Sequence, residues 1–162
     1  GCMSAPSSAA VVTNAVDVGG GRLNIRRARY ADSRDAEAIV ALLDAYAQDP
    51  AGGSEPLSAH ARQHLVSELS RRPAFSVLAF VGDVPVGLMN CLEGFSTFAC
   101  APLINVHDVV VLSAHRGRGI GRAMFAVAEQ EALRSGACKM TLEFFSRNNT
   151  ARGLDERLGF ED

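Results

Sequence analysis

The chain has 162 residues, a formal charge of −2 and 48% hydrophobic residues, which fits one domain with a sizeable core. That charge makes no field suited to nucleic acid, and no apolar run approaches the ~18 residues of a membrane span, so neither partner is expected. The cysteines Cys2, Cys91, Cys100 and Cys138 form no CxxC pair and have no histidine at zinc spacing; free thiols in a reducing, cytoplasmic setting are expected.

Residues 1–20 are rich in Ala, Ser, Val and Gly and carry no basic stretch ahead of an apolar core, unlike a secretory signal. They read as a flexible N-terminal tail before a single domain over residues 21–162, although Val11-Val12 has the composition to pair with a sheet edge. Residues 22–29 alternate apolar and basic side chains, as a half-exposed strand does. Asp32-Ser33 then supplies an N-cap. Ala36, Ile39, Val40, Leu42, Leu43 and Tyr46 recur at helical spacing until Asp49-Pro50 stops the pattern. Ser58 caps a second helix, with Leu57, Ala61, Leu65, Val66 and Leu69 on one side and Arg71-Arg72-Pro73 at its end. His60 and His64 lie one turn apart on it. They lack a third ligand and read as solvent-facing, so no metal is expected.

Residues 75–81 and 84–92 are apolar strands joined by a hairpin turn at Gly82-Asp83. Residues 93–102, EGFSTFACAP, form an aromatic loop or a strand extension. Residues 103–112 are the next strand. The turn Arg116-Gly117-Arg118-Gly119-Ile120-Gly121 leads into a helix over 121–135, with Met124, Phe125, Val127, Ala128, Ala132 and Leu133 available to the sheet and Gly136 at its C-terminal end. Residues 138–145 are a buried strand in which Cys138 packs. Residues 148–158 are a short helix, weakened by Gly153 at about 1 kcal/mol relative to alanine. The order β-α-α-β-β-β-α-β-α describes an α/β domain with a mixed sheet. The glycine-rich turn lies at the carboxyl end of a strand, where open α/β sheets place ligands.

A strand, a glycine-rich turn and a helix in that order build an anion site from backbone. The first N–H groups of a helix have no internal partner and sit at the positive end of its dipole. Glycines let that backbone approach a phosphate closely, and Arg116, Arg118 and Arg122 add positive charge. The turn is not GxxxxGK[ST], which argues against a P-loop. Gly117, Gly119 and Gly121 give GxGxG rather than GxGxxG, and no acidic residue stands at the dinucleotide spacing.

With Arg116, Gly119 and Gly121 at the fixed positions of an R-x-x-G-x-G coenzyme-A signature, the chain resembles the GNAT acetyltransferase superfamily from about Leu23 onward. The resemblance implies the acyl-CoA N-acyltransferase fold, with a central mixed sheet flanked by helices on both faces. It implies acetyl-CoA as cosubstrate. The pyrophosphate would rest on the N–H groups of Arg118, Gly119, Ile120 and Gly121, beside Arg116 and Gly117. The pantetheine arm would run along the backbone of Val109 and Val111, and Asn148, which with Ala151 matches the family's N-x-x-A, would bond that arm. After Leu154, many members carry a tyrosine proposed to protonate the leaving thiolate. This chain has Asp155 there, and an ionised carboxylate has no proton to donate. The family normally closes with one further strand, whereas this sequence stops at Asp162 just after Gly159-Phe160. The last strand is therefore expected to be missing or not represented, with a second subunit of a homodimer covering that edge.

Acyl transfer needs an unprotonated amine. The run FSTFACAPLINVHDVVV resembles the polyamine-acetyltransferase branch, where an acidic pair takes the place of His107-Asp108. His107 is the first choice as base, because histidine titrates near neutrality; Asp108 is the second. Neighbouring strand residues face opposite sides, so only one of the pair faces the cleft. Glu93 and Phe98 are expected to bind a cationic small-molecule substrate. Cys91 and Cys100 have no placed base, and Glu143 reads as an edge or cleft residue. The expected activity is transfer of acetyl from acetyl-CoA to a primary amine of a small molecule by direct attack on the thioester. The alternatives are a protein amino group as acceptor, or a non-catalytic acyl-CoA-binding regulatory module, which Asp155 favours.

Overall fold

A computed structural model describes residues 16–18 and 21–142. Local side-chain caps start two of its helices. Asp32 accepts from the N–H groups of Arg34 and Asp35 at the head of α1 (Ser33–Gln48). Ser58 accepts from Ala61 N–H at the head of α2 (Ala59–Ser70). Each takes up donors that a helix start leaves without partners. Helix α1 ends at Asp49, and a short 3-10 turn over Pro50–Gly52 follows, with proline at its start as expected of a residue that has no N–H to place.

The six strands are β1 (Val16–Val18), β2 (Gly21–Arg27), β3 (Ala74–Val81), β4 (Val84–Ser96), β5 (Ala101–Val111) and β6 (Met140–Leu142), in the spatial order β1-β2-β3-β4-β5-β6. Neighbours are antiparallel as far as β5, and β6 runs parallel to β5. A parallel pair needs a crossover, and α3 (Ile120–Arg134) supplies it. The mixed sheet expected from the order of elements is therefore present. Several boundaries differ from expectation, and Cys138, expected inside the last buried strand, lies half-buried just before β6. Val16–Val18 fall within the stretch read as a tail, yet they pair with Gly21, Arg22 and Leu23 of β2. A Val-Asp-Val run has strand propensity, and the outer edge of β2 offers it unpaired backbone; the tail reading does not extend to these three residues. The aromatic segment after residue 92 continues β4 as strand, because Glu93, Phe95 and Ser96 pair with Ile104, Pro102 and Ala101.

Both faces of the sheet are covered. On one, Ile25, Val77, Met89, Cys91, Ile104 and Val106 pack against Ile120, Met124, Val127 and Ala128 of α3. Gly87 lets that helix come close: a Cβ there would lie 3.1 Å from the Met124 sulfur. On the other face, Leu78, Leu88 and Val110 pack against Ala38, Ile39 and Leu42 of α1, with Leu65 and Val66 of α2 at the margin. Each fully buried aliphatic side chain contributes about 1.5–3 kcal/mol. Among the described residues no helix is long and apolar enough to cross a membrane. The expected helix over 148–158, with Asn148, Ala151, Leu154 and Asp155, lies outside the described residues, as do Glu143 and Gly159-Phe160.

Candidate active site

Strand β5 carries a break in register that decides which side chains meet. Asn90 of β4 pairs with Asp108, but the next residue, Cys91, pairs with Val106. His107 is thus the extra residue of a β-bulge, and a bulge re-aims the side chains that follow it. Val106 packs with the α3 side of the sheet. Without the bulge Asp108 would share that face. With it, Asp108 falls on the α1 face, in register with Val110, while Val109 and Val111 pack against the α3 cluster. His107 is exposed and Asp108 half-buried. One member of the pair therefore reaches the interior of the α1 face, and it is the aspartate.

Asp108 ends a row of polar groups running across the sheet. The Tyr30 hydroxyl lies 2.8 Å from Ser76 Oγ, Ser76 Oγ donates to Asn90 Oδ1 at 2.6 Å, and Asn90 Nδ2 donates to Asp108 Oδ2 at 3.0 Å. Ser76 and Asn90 are buried inside otherwise apolar strands. Burial pushes the Asp108 carboxyl above its ordinary value, against smaller opposing effects of the Asn90 hydrogen bond and nearby His107. Tyr46 of α1 packs on this face, and its phenol is pushed up by burial, then by Asp108 and Asp49. Two carboxyl groups thus act on Tyr46 near the carboxyl end of α1, where the helix dipole is also negative. That environment suits a cation and provides a proton acceptor beside it.

The glycine-rich turn follows β5 through a 3-10 turn, Ser113–His115. Gly119 stands at the head of α3 with φ +81 and no side chain caps the helix. The N–H groups of Ile120 and Gly121 therefore have no carbonyl one turn back. Among the described residues no backbone carbonyl outside helix and strand pairing accepts from residues 117–121. A Cβ on Gly117 or Gly119 would meet nothing within 4 Å, so their neighbourhood is open to an incoming group. Arg118 and Arg122 are exposed beside it. Arg116 is held at its base: Nε donates to Val111 O at 3.0 Å, and its guanidinium lies 3.8 Å from Asp49. It links the turn to the end of α1.

Among the described residues strand β6 pairs with β5 at Ile104, Asn105 and Val106, and Val109 and Val111 lie further along β5. Other expected residues do not join this group. Glu93 lies two residues beyond Cys91 and so shares the α3 face rather than that of Asp108; it is exposed. Phe98 is fully exposed in the β4–β5 connection. The His60 and His64 rings lie 4.7 Å apart on α2, tilted by 41°, and among the described residues no group of three His, Cys, Asp or Glu is placed to hold a metal. Cys91 is buried, and its thiol is pushed far up by burial, then by Asp108, which leaves it protonated and unreactive. Tyr30, Ser76 and Asn90 carry no expectation from sequence. The one local signal for two of them is a polar residue inside an apolar run, FSVLAFV for Ser76 and VGLMNCL for Asn90.

Comparisons with known proteins bear on the family and the fold. A family model described as acetyltransferase (GNAT) family matches residues 36–160. A Bacillus subtilis (strain 168) protein called uncharacterized N-acetyltransferase YhfO is 26% identical over 140 residues, covering 86% of this chain and 91% of the relative. Among solved structures, the ribosomal-protein-alanine N-acetyltransferase from Brucella melitensis biovar Abortus 2308 is similar in fold, with TM-score 0.66 and 22% identity over 84% of this chain and 90% of that one. So is the aminoglycoside N-acetyltransferase AAC(6')-Iy in complex with CoA, with TM-score 0.68 and 17% identity over 91% and 93% of the two chains.

Proposed function

The chain belongs to the acetyltransferase (GNAT) family and is an acetyl-CoA-dependent N-acetyltransferase, and from that premise we propose that it acetylates a primary amine of a small cationic molecule, with Asp108 taking the amine's proton. The observation that carries this reading is the placement of Asp108: half-buried, bonded by Asn90, and close enough to Tyr46 to act on its phenol. An ammonium is not a nucleophile until it loses a proton. A carboxyl whose affinity for a proton is raised by burial accepts that proton more readily than a solvated one. The amine nitrogen then bonds to the acetyl carbon, the carbon–sulfur bond breaks, and the departing CoA thiolate takes up the second proton that the nitrogen sheds in becoming an amide. His107, exposed at the bulge, acts on Asp108 by charge rather than by contact with the acceptor.

In this reading the N–H groups of Arg118, Gly119, Ile120 and Gly121 receive the pyrophosphate, with Gly117 giving it room. Arg116 braces the turn from Val111 and Asp49. Val109 and Val111 line the pantetheine path with their backbone. The acidic end of α1 replaces Glu93 and Phe98 as the feature that attracts a cation. The free thiols Cys91, Cys100 and Cys138 fit a reducing, cytoplasmic setting.

The acceptor class is tested by thiol release from acetyl-CoA across aliphatic diamines, polyamines, aminoglycosides and an alanine-ended peptide. Turnover confined to the small cationic amines is the expected result. Turnover confined to the peptide would replace this acceptor with a protein amino group, the acceptor type in the name of the Brucella neighbour.

A further inference from the structure

Resting on the reading of Asp108 as base, we propose that Tyr30, Ser76 and Asn90 form a one-way hydrogen-bond chain that holds the Asn90 amide with its NH2 group toward Asp108, which makes Tyr30 and Ser76 positioning residues for acetyl transfer. The chain draws on four successive segments of the sheet: Tyr30 just after β2, Ser76 on β3, Asn90 on β4 and Asp108 on β5.

Its direction follows from counting protons. A carbonyl oxygen only accepts, so at 2.6 Å Ser76 must donate to Asn90 Oδ1. Serine has one hydroxyl proton, and it is then spent. The Tyr30 hydroxyl, 2.8 Å away, must give its own proton to Ser76. With its oxygen turned to β3, Asn90 can present only N–H to β5, and it meets Asp108 at 3.0 Å. The reversed amide would set a carbonyl oxygen against a carboxylate oxygen and is repelled whenever Asp108 is ionised.

Two observations keep the arrangement in force. Ser76 is 0% and Asn90 2% exposed, so water does not compete for either link. Burial, foremost, raises the Tyr30 phenol, so it remains a donor well above neutral pH. The chain transmits orientation and not protons, because a neutral amide stands in its path. Among the described residues Asn90 is the one side chain that hydrogen-bonds Asp108. Of the titratable groups facing Asp108, His107 of β5 acts on it, and Asp108 in turn acts on Tyr46 of α1 and Cys91 of β4. Raised phenol and thiol values leave Tyr46 and Cys91 uncharged, so Asn90 is the main contact that favours the ionised carboxylate. A carboxylate bonded on Oδ2 by a fixed donor keeps Oδ1 for the acceptor amine.

The test follows the Asp108 carboxyl by carbon-13 NMR titration of the full chain, with Asp108→Asn identifying its signal. Ser76→Ala should move the midpoint upward by about half to one pH unit, since the Asn90 donor is no longer held in place. Tyr30→Phe, which removes one hydroxyl from a half-buried site and keeps the ring, should move it the same way by less. Ser76→Thr should restore the parent value. The acid limb of the kcat/KM profile, measured with a turned-over amine, should follow the same order while acetyl-CoA affinity stays within about twofold. A midpoint unmoved in both Ser76→Ala and Tyr30→Phe overturns the proposal. If Ser76→Ala does not fold, Tyr30→Phe alone decides it. Asp108→Asn separates this inference from its premise: full turnover in that variant, with the midpoint still moved by Tyr30→Phe, removes the base and leaves the chain standing.

Discussion

Asn90 lies opposite Asp108 across β4 and β5, while its neighbour Cys91 lies opposite Val106. That step of register, absorbed by His107, turns the aspartate onto the face that α1 covers and leaves the histidine exposed. A regular strand would have put the carboxyl under α3, among Met124, Val127 and Ala128, where an ionised group is costly. The bulge therefore takes the carboxyl from a wholly apolar surrounding to one where Asn90 bonds it, with a single added residue.

The first prediction separates the two neighbours. Asp108→Asn keeps the shape and a carbonyl oxygen for Asn90 to bond, but removes the proton acceptor. Its kcat/KM should fall about 10²–10⁴-fold, with acetyl-CoA binding retained. His107→Ala should stay within a few-fold. Its acid limb should move to slightly higher pH, because the nearby histidine lowers the Asp108 value. A large loss in His107→Ala together with near-full activity in Asp108→Asn would reverse the assignment.

The same carboxyl sets a second prediction, on stability. Burial raises Asp108 above its ordinary value of 3.8. A raised value means that the folded state favours the protonated form. The contribution to stability is thus complete below pH 3.8 and is lost as pH rises through the raised folded value. An amide in its place never ionises, so Asp108→Asn should gain thermal stability relative to the parent between about pH 4 and pH 7. Melting temperatures of both proteins at those two pH values measure it. A gap of constant size would mean that the folded carboxyl is no harder to ionise than in the unfolded chain.

How much of this was legible in the sequence follows from the range of the interactions involved. Asp32 and Ser58 cap helices within three residues of themselves, so both helix starts are readable from local order. The turn at residues 116–121 is equally local. The bulge is not, because it exists only in the register of β4 against β5. Without it His107 and Asp108 differ by type alone, and ordinary titration behaviour favours the histidine. Ser76 and Asn90 stand out as polar residues in apolar strands, but their union depends on the β3–β4 pairing, which sets Ser76 opposite Asn90. Glu93 looks like a loop residue until Ile104 is seen to pair with it, and pairing fixes the face it takes.

A third prediction concerns the turn. Gly119 has φ +81, and a Cβ there would touch nothing within 4 Å. Gly119→Ala thus meets no packing clash, and its cost is that of forcing an L-residue into the left-handed region, about 1–2 kcal/mol. Relief of that strain would rotate the turn and misalign the N–H groups that open α3. Acetyl-CoA affinity measured by calorimetry should drop about tenfold or more, a loss of at least about 1.4 kcal/mol. A lowered melting temperature with unchanged affinity would move the pyrophosphate away from this turn.

The last prediction tests what holds α1 against the sheet. Arg26 and Arg27 stand side by side on β2 and reach opposite ways, Arg26 to Asp35 of α1 and Arg27 to Glu131 of α3. Asp35 is 2% exposed and receives both guanidinium nitrogens of Arg26, at 2.7 and 2.8 Å, and the Arg29 N–H at 2.8 Å. Burial alone would raise its carboxyl, but the Arg26 hydrogen bonds, the Arg29 N–H and both arginine charges outweigh burial and hold it below 3.8. A depressed value means that the pair's contribution is complete above pH 3.8 and is lost as pH falls through the folded value. Arg26→Ala would strand that carboxylate, at a cost of about 3 kcal/mol near pH 7, the low end for a buried pair because Arg26 is partly exposed. Without Arg26 the leading effect opposing burial is gone and the Asp35 carboxyl rises, so the variant protonates it at higher pH than the parent does. The gap between parent and variant in urea unfolding should therefore shrink from about pH 7 to pH 4.5. An equal gap at both pH values would show that Arg26 supports α1 by packing over Phe80, whose ring centre lies 5.1 Å from its guanidinium, rather than by charge.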